Sequence, residues 1–300
     1  MTNNKKNSLM KIRSLFVLFS VLLFACHPEN KETQLSEDEL NMEAALVEKT
    51  AQELDGDHSF YILPSPLQIA SIFKKSGLAY LPGLINPSSN SKKYTVSFSK
   101  SIGIGLYSAD VAYCVINNQT QESMNSMKAL KQLADEMGIS SVFESDALMT
   151  RFERNIAKED SLVEILSDIQ MELDVFLEEN EQKHIAITIF SGAWIESMYL
   201  ASKTVQSKKN GVLSKRLGEQ YIILSNIVKA LKKHKEEIAG FPALLKDLES
   251  IKQIFDQFSF ITNKGADEEM SENTGVSDEE IKTLTTKLEE IRTKLINGTI

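Results

Sequence analysis

Apolar residues recur at steps of three and four along most of the chain, and no stretch alternates with the two-residue period of a half-buried strand. The pattern predicts an all-α fold: a multi-helix bundle of about eight to nine helices, with a C-terminal helix tethered by a linker. Leu40, Ala44, Val47, Ala51 and Leu54 mark one face of a first helix, which Ser36 and Glu39 cap and Asp55-Gly56-Asp57 stops. Ser65, Pro66 and Gln68 supply the N-cap, first-turn proline and capping-box partner of a second helix, predicted to end at Gly77. Residues 78–91 hold two prolines, a glycine and several Asn and Ser residues, and read as a loop.

The next predicted helix, 92–117, is rich in small residues. Ser97, Ser101, Gly105, Ala109 and Ala112 share a side on which a neighbouring helix can come close. Further helices are predicted at 120–137, 144–157, 160–179 with Ser161 and Glu164 as a capping box, 181–204, 212–236 and 242–258. The 181–204 helix is apolar on nearly every side, the mark of a central buried element. The 92–137 pair is similar to one tetratricopeptide unit, but no second copy follows at the ~34-residue period of that repeat.

Residues 261–277 form an acidic linker with too few apolar side chains to pack. Ser277 and Glu280 then cap a last helix in which Ile281, Leu284, Leu288, Ile291 and Leu295 step by 3, 4, 3 and 4. That seam either docks on the body or self-associates with another copy through 278–297. About three heptads make only a marginal isolated coil, which favours docking on the body.

The N-terminus follows a different rule. Lys5, Lys6, Lys11 and Arg13 precede an apolar run, Ser14–Ala25, of 12 residues. That run falls short of the ~20 residues a membrane-spanning helix needs and matches a secretory signal instead. Without the signal, 29 Lys and Arg face 42 Asp and Glu, a formal charge near −13. This balance argues against nucleic acid as a partner and against an anionic lipid surface.

Leu23-Phe24-Ala25-Cys26 resembles the lipobox of bacterial lipoproteins, with Phe24 bulkier than is usual at its position. The resemblance implies cleavage before Cys26, lipidation of that cysteine by diacylglycerol and an amide-linked acyl chain such as palmitate, and attachment to a membrane of the cell envelope. Several chains anchor firmly, at ~0.8 kcal/mol per buried methylene. The expected location is the outer membrane of a Gram-negative bacterium, with the face of the membrane unassigned. The chain then divides into a signal peptide (1–25), a lipidated tether with a short helix (26–57), a helical domain (58–260), the acidic linker (261–277) and the heptad helix (278–300). Within the body, "SPLQIASIFKKSGL", "FSKSIGIGLYSADVAY" and "FSGAWIESMYLAS" resemble a group of uncharacterised all-helical lipoproteins of Bacteroidetes, a likeness that brings no catalytic residues with it.

The chain holds no H-E-x-x-H, C-x-x-C, P-loop or EF-hand motif, so no metal and no cofactor is expected. Gly103-Ile104-Gly105 lies within a helix with no strand before it, which fits packing better than dinucleotide binding. Ser71-x-x-Lys74 and Ser97-x-x-Lys100 share the serine–lysine spacing of penicillin-recognising enzymes but lack an accompanying Lys-Thr-Gly. Cys114 is flanked by apolar residues and reads as a small core side chain, with no disulfide partner once Cys26 is lipidated.

Two acids stand where the pattern requires core. Asp110 and Glu196 interrupt apolar helices and need partners, for which Arg151 and Arg154 are the sequence candidates. Two readings follow. In one, the acids fix helix register within a non-enzymatic binding or scaffolding module that meets a protein partner in the envelope. In the other, Tyr107, Asp110, Arg154, Trp194, Glu196 and Tyr199 line an open interhelical pocket of an enzyme or small-ligand sensor.

Overall fold

Helix follows helix in the computed structural model, which describes residues 64–144, 147–234, 238–262 and 276–299; no strand occurs among them. The predicted signal, Cys26, the helix over 36–54 and residues 263–275 of the linker lie outside the described residues. Ser65 caps α1 (Pro66–Lys75) in a complete capping box with Gln68, and Gly77 follows the helix with φ +99°. This is the N-terminal Pro, C-terminal Gly asymmetry of helix ends.

The heart of the bundle is the pair α2 (Ser97–Ile116) and α7 (Lys183–Ser207), which share the most extensive helix contact. Their approach is set by two glycines. A Cβ on Gly105 would lie 1.9 Å from the Ile189 carbonyl oxygen, and one on Gly192 would lie 2.6 Å from the Ile102 carbonyl oxygen. The two backbones therefore touch, and only glycine fits at the crossing. The small-residue side of α2 was legible in sequence, whereas Gly192 was hidden in an otherwise apolar run.

Around that pair, α3 (Thr120–Glu136) packs on α2, and α1 on both central helices. The long α6 (Glu159–Glu179) runs along α2 and α7 beside the short α4 (Ser141–Glu144) and α5 (Leu148–Arg154). Then α8 (Gly211–Glu219), α9 (Tyr221–Lys233), α10 (Phe241–Phe255) and α11 (Ser259–Thr262) lead to α12 (Asp278–Ile296), which lies on α7 and α10. Among the described residues, α7 is the one helix long and apolar enough to cross a membrane by length and composition. Its most apolar window is 89% buried inside the fold, as a core helix requires.

Several boundaries depart from the periodicity. The helix predicted from 92 starts at Ser97, because a 3₁₀ turn over Ser88–Lys93 leaves Tyr94 extended and free to insert its ring into the core. Ser161 lies inside α6 rather than at its cap; Glu159 and Asp160 occupy the first turn, where the helix dipole favours acids. The predicted 144–157 helix is broken at Ala147, which adopts φ 51°. The predicted 212–236 helix divides at Gln220, so that Leu213 and Leu217 on one side and Ile223, Leu224 and Ile227 on the other all reach the core.

All five seam residues of α12 are buried within the chain itself. The Ser277–Glu280 capping box is complete, and Glu280 also accepts the Ser259 backbone N–H at 2.7 Å, which holds the start of α12 against the start of α11.

Candidate functional site

Asp110 on α2 and Glu196 on α7 are both fully buried, and with Arg292 on α12 they are the charged side chains that burial takes from water among the described residues. Helical spacing places Tyr107 on the face of Asp110 and Tyr199 on the face of Glu196, three residues away in each case. Asp110 meets the loop before the 3₁₀ turn through Asn86, and Glu196 and Tyr199 meet α12 through Arg292.

Arg292 is the partner that Glu196 requires. Its Nε donates to Glu196 Oε2 at 2.6 Å and its Nη2 to Glu196 Oε1 at 2.6 Å, a bidentate fork. Nη2 also donates to the Leu84 carbonyl at 2.7 Å, and the guanidinium carbon sits 4.2 Å from the centre of the Tyr199 ring. Burial opposes the charged guanidinium, but the charge and hydrogen bonds of Glu196 outweigh it and hold the Arg292 pKa above its ordinary value.

Asp110 takes a different state. Its Oδ2 accepts the Asn86 backbone N–H at 3.0 Å, while Oδ1 finds no donor among the described residues. Complete burial, and next the charge of Glu196, push the Asp110 carboxyl well above the usual carboxylate range. Both effects favour the protonated form of the Asp110 carboxyl.

The surrounding loop is tied down from α2. Asn86 donates through Nδ2 to the Tyr94 hydroxyl at 2.9 Å, and Tyr107 donates to the Pro87 carbonyl at 2.9 Å. Tyr113 donates to the Ala79 carbonyl at 2.9 Å and accepts the Leu81 N–H at 2.7 Å. Tyr94 and Tyr107 meet edge to face at 6.3 Å. Burial holds both phenols far above their ordinary range, so they serve as neutral hydrogen-bonding groups.

Three expected participants stand elsewhere. Arg151 pairs with Asp168 at 2.9 Å on the half-exposed α5–α6 edge, and Arg154 is exposed, so neither neutralises the buried acids. Both arginines sit on a seven-residue helix at the rim, out of reach of the α2–α7 crossing. Trp194 is fully buried, but two residues before Glu196 it projects from another side of α7, and its indole N–H has no hydrogen-bond partner among the described residues.

The polar residues form an enclosed core rather than the wall of an open pocket, since Asp110 and Glu196 expose no surface. Two cavities among the described residues lie apart from them. One is a crevice of about 40 Å³ between α1, α2, α3 and α6, lined by Leu67, Ile104, Met127 and Leu173. The other is an open groove of about 520 Å³ between α9 and α10, lined by Val228, Lys232, Glu249 and Lys252. Burial pushes the Cys114 thiol far above its ordinary range, which keeps it protonated and unreactive. No cluster of three metal-ligating side chains occurs among the described residues.

Arg292 escaped the sequence reading because it lies beside the seam rather than on it. Its signal was available: Ile281, Thr285, Leu288, Arg292 and Leu295 also step by four and three, and it is the one arginine on α12. The chain matches no protein-family model, no curated protein and no solved structure.

Proposed function

We propose that the protein is a lipid-anchored binding or scaffolding module of the bacterial cell envelope, held to the outer membrane through Cys26. The observation that carries the reading of the body is the Asp110–Glu196–Arg292 cluster. Asp110 ties α2 to the loop at Asn86 and Glu196 ties α7 to α12, so the polar residues of the core serve packing of the body. The alternative, an enzyme or sensor built on these acids, requires reagent access to side chains with no exposed surface. The basic n-region, short apolar run and Leu23–Cys26 motif support the anchor.

The anchor is tested by feeding cells an alkyne-bearing palmitate and separating their membranes on a density gradient. The wild-type chain takes up the label and bands with the outer membrane, and Cys26→Ser does neither. Equal labelling of both chains, or a labelled chain in the inner membrane, overturns the corresponding part of the proposal. The scaffolding role is tested with Asp110→Asn, which keeps the hydrogen bonds of a protonated acid: helicity and outer-membrane recovery stay at wild-type level, and loss of either counts against it.

A further inference from the structure

The groups that receive Arg292 make a guanidinium site: a carboxylate fork from Glu196, an aromatic face from Tyr199 and the Leu84 carbonyl. A planar guanidinium matches that set, whereas an ammonium cannot fill both arms of the fork. The groups that receive Arg292 come from elements other than α12. Glu196 and Tyr199 belong to α7, and the loop that supplies Leu84 is bound to α2 through Asp110, Tyr107 and Tyr113.

The attachment of α12 has two further features. Its polar rim is at least partly exposed: Lys203–Glu289 at 3.3 Å, Lys294–Asp247 at 3.1 Å and Lys209–Asp278 are screened pairs of the kind that contribute little. Its linker is also long in sequence. The start of α12 touches the start of α11 through Glu280 and Ser259, yet 15 residues, 263–277, join the two helices, with a contour of about 50 Å. Connections of this length within a bundle are uncommon and accompany function or tethering.

We propose that the helical body carries a recognition site for an arginine-bearing amphipathic helix, filled in cis by α12 and open to such a helix of a partner protein that displaces it. The inference rests on the reading of the body as a binding module and is independent of the membrane anchor. In cis, α12 competes as an intramolecular ligand, at an effective concentration that can reach ~mM, so a partner helix gains entry most readily where the cis contact is weakened.

The test uses the full chain in detergent and fluorescent peptides spanning residues 277–299, with Arg292 intact or replaced by alanine. The intact peptide binds the Arg292→Ala chain at least tenfold more tightly than it binds the wild-type chain, and at least tenfold more tightly than the alanine peptide does. Adding Glu196→Gln to that chain removes the preference between peptides. A Leu284→Ala chain keeps the ion pair, weakens the seam and gives an intermediate gain, which preserves the test if Arg292→Ala does not fold. Two peptides that bind alike, or no binding to any variant of native helicity, overturn the proposal. Cys26 labelling is read separately, so failure of the anchor and failure of the site are distinguishable.

Discussion

Arg292 holds both oxygens of Glu196 at 2.6 Å across 96 residues of sequence, and this contact makes the last helix part of the core. Removing one partner leaves a buried charge uncompensated, a change that costs ~3–5 kcal/mol in comparable buried pairs. Glu196→Gln is therefore expected to lower the urea midpoint by that equivalent. The double variant Glu196→Gln/Arg292→Met, which removes both charges, is expected to recover much of the loss. Denaturant titration of the three chains checks this, and a double variant no better than the single one counts against the pair as the reason.

Asp110 makes a prediction in pH. Its pKa is raised by burial and then by Glu196, so the folded chain holds a proton that the unfolded chain releases near pH ~4. Stability from this group is fully present below that range and declines as pH rises towards the folded pKa, by at most ~1.4 kcal/mol per pH unit. Asp110→Asn keeps an acceptor for Asn86 and a donor towards Glu196 but has no proton to lose. The variant is expected to match the wild type near pH 3 and to exceed it at pH 8. Urea midpoints at both pH values decide the matter; a difference that does not change with pH shows Asp110 to be unshifted.

Much of the architecture was legible because helix formation is local. Ser65–Gln68 and Ser277–Glu280 cap where their spacing says, and the 181–204 run is the buried α7. The breaks at Ala147 and Gln220 were not legible, since each arises from how neighbouring helices share the core. At the site, sequence marked Asp110 and Glu196 as acids out of place but could not choose their partner. Arg151 and Arg154 look equally basic, and only the path of the chain brings Arg292 to Glu196. Asn86 was illegible for a related reason: its contribution to Asp110 is a backbone N–H.

Cys114 has no exposed surface and a thiol held protonated by burial. In a Cys26→Ser chain it is the sole thiol, so its reaction with a disulfide reagent reports opening of the α2 core. The native chain is expected to react more slowly than the urea-unfolded chain by about the factor set by the free energy of the opening that exposes it. Following thiol release against urea concentration checks this, and prompt reaction without denaturant contradicts the burial.

The α2–α7 crossing gives the strictest steric prediction. At Gly105 an added methyl meets the backbone oxygen of Ile189 at 1.9 Å, and backbone cannot rotate aside as a flexible side chain does. Gly105→Ala must therefore push apart the two helices that carry Asp110 and Glu196. Overpacking in cores costs ~1–3 kcal/mol and sometimes more, and a backbone clash at the central contact belongs at the upper end. Gly211→Ala is the matched control: it opens α8, a Cβ there meets nothing within 4 Å, and helix propensity makes it neutral to ~1 kcal/mol stabilising. Thermal melts followed at 222 nm are expected to place Gly105→Ala well below the wild type and Gly211→Ala at or above it. Equal melting of the two variants contradicts a crossing set by glycine.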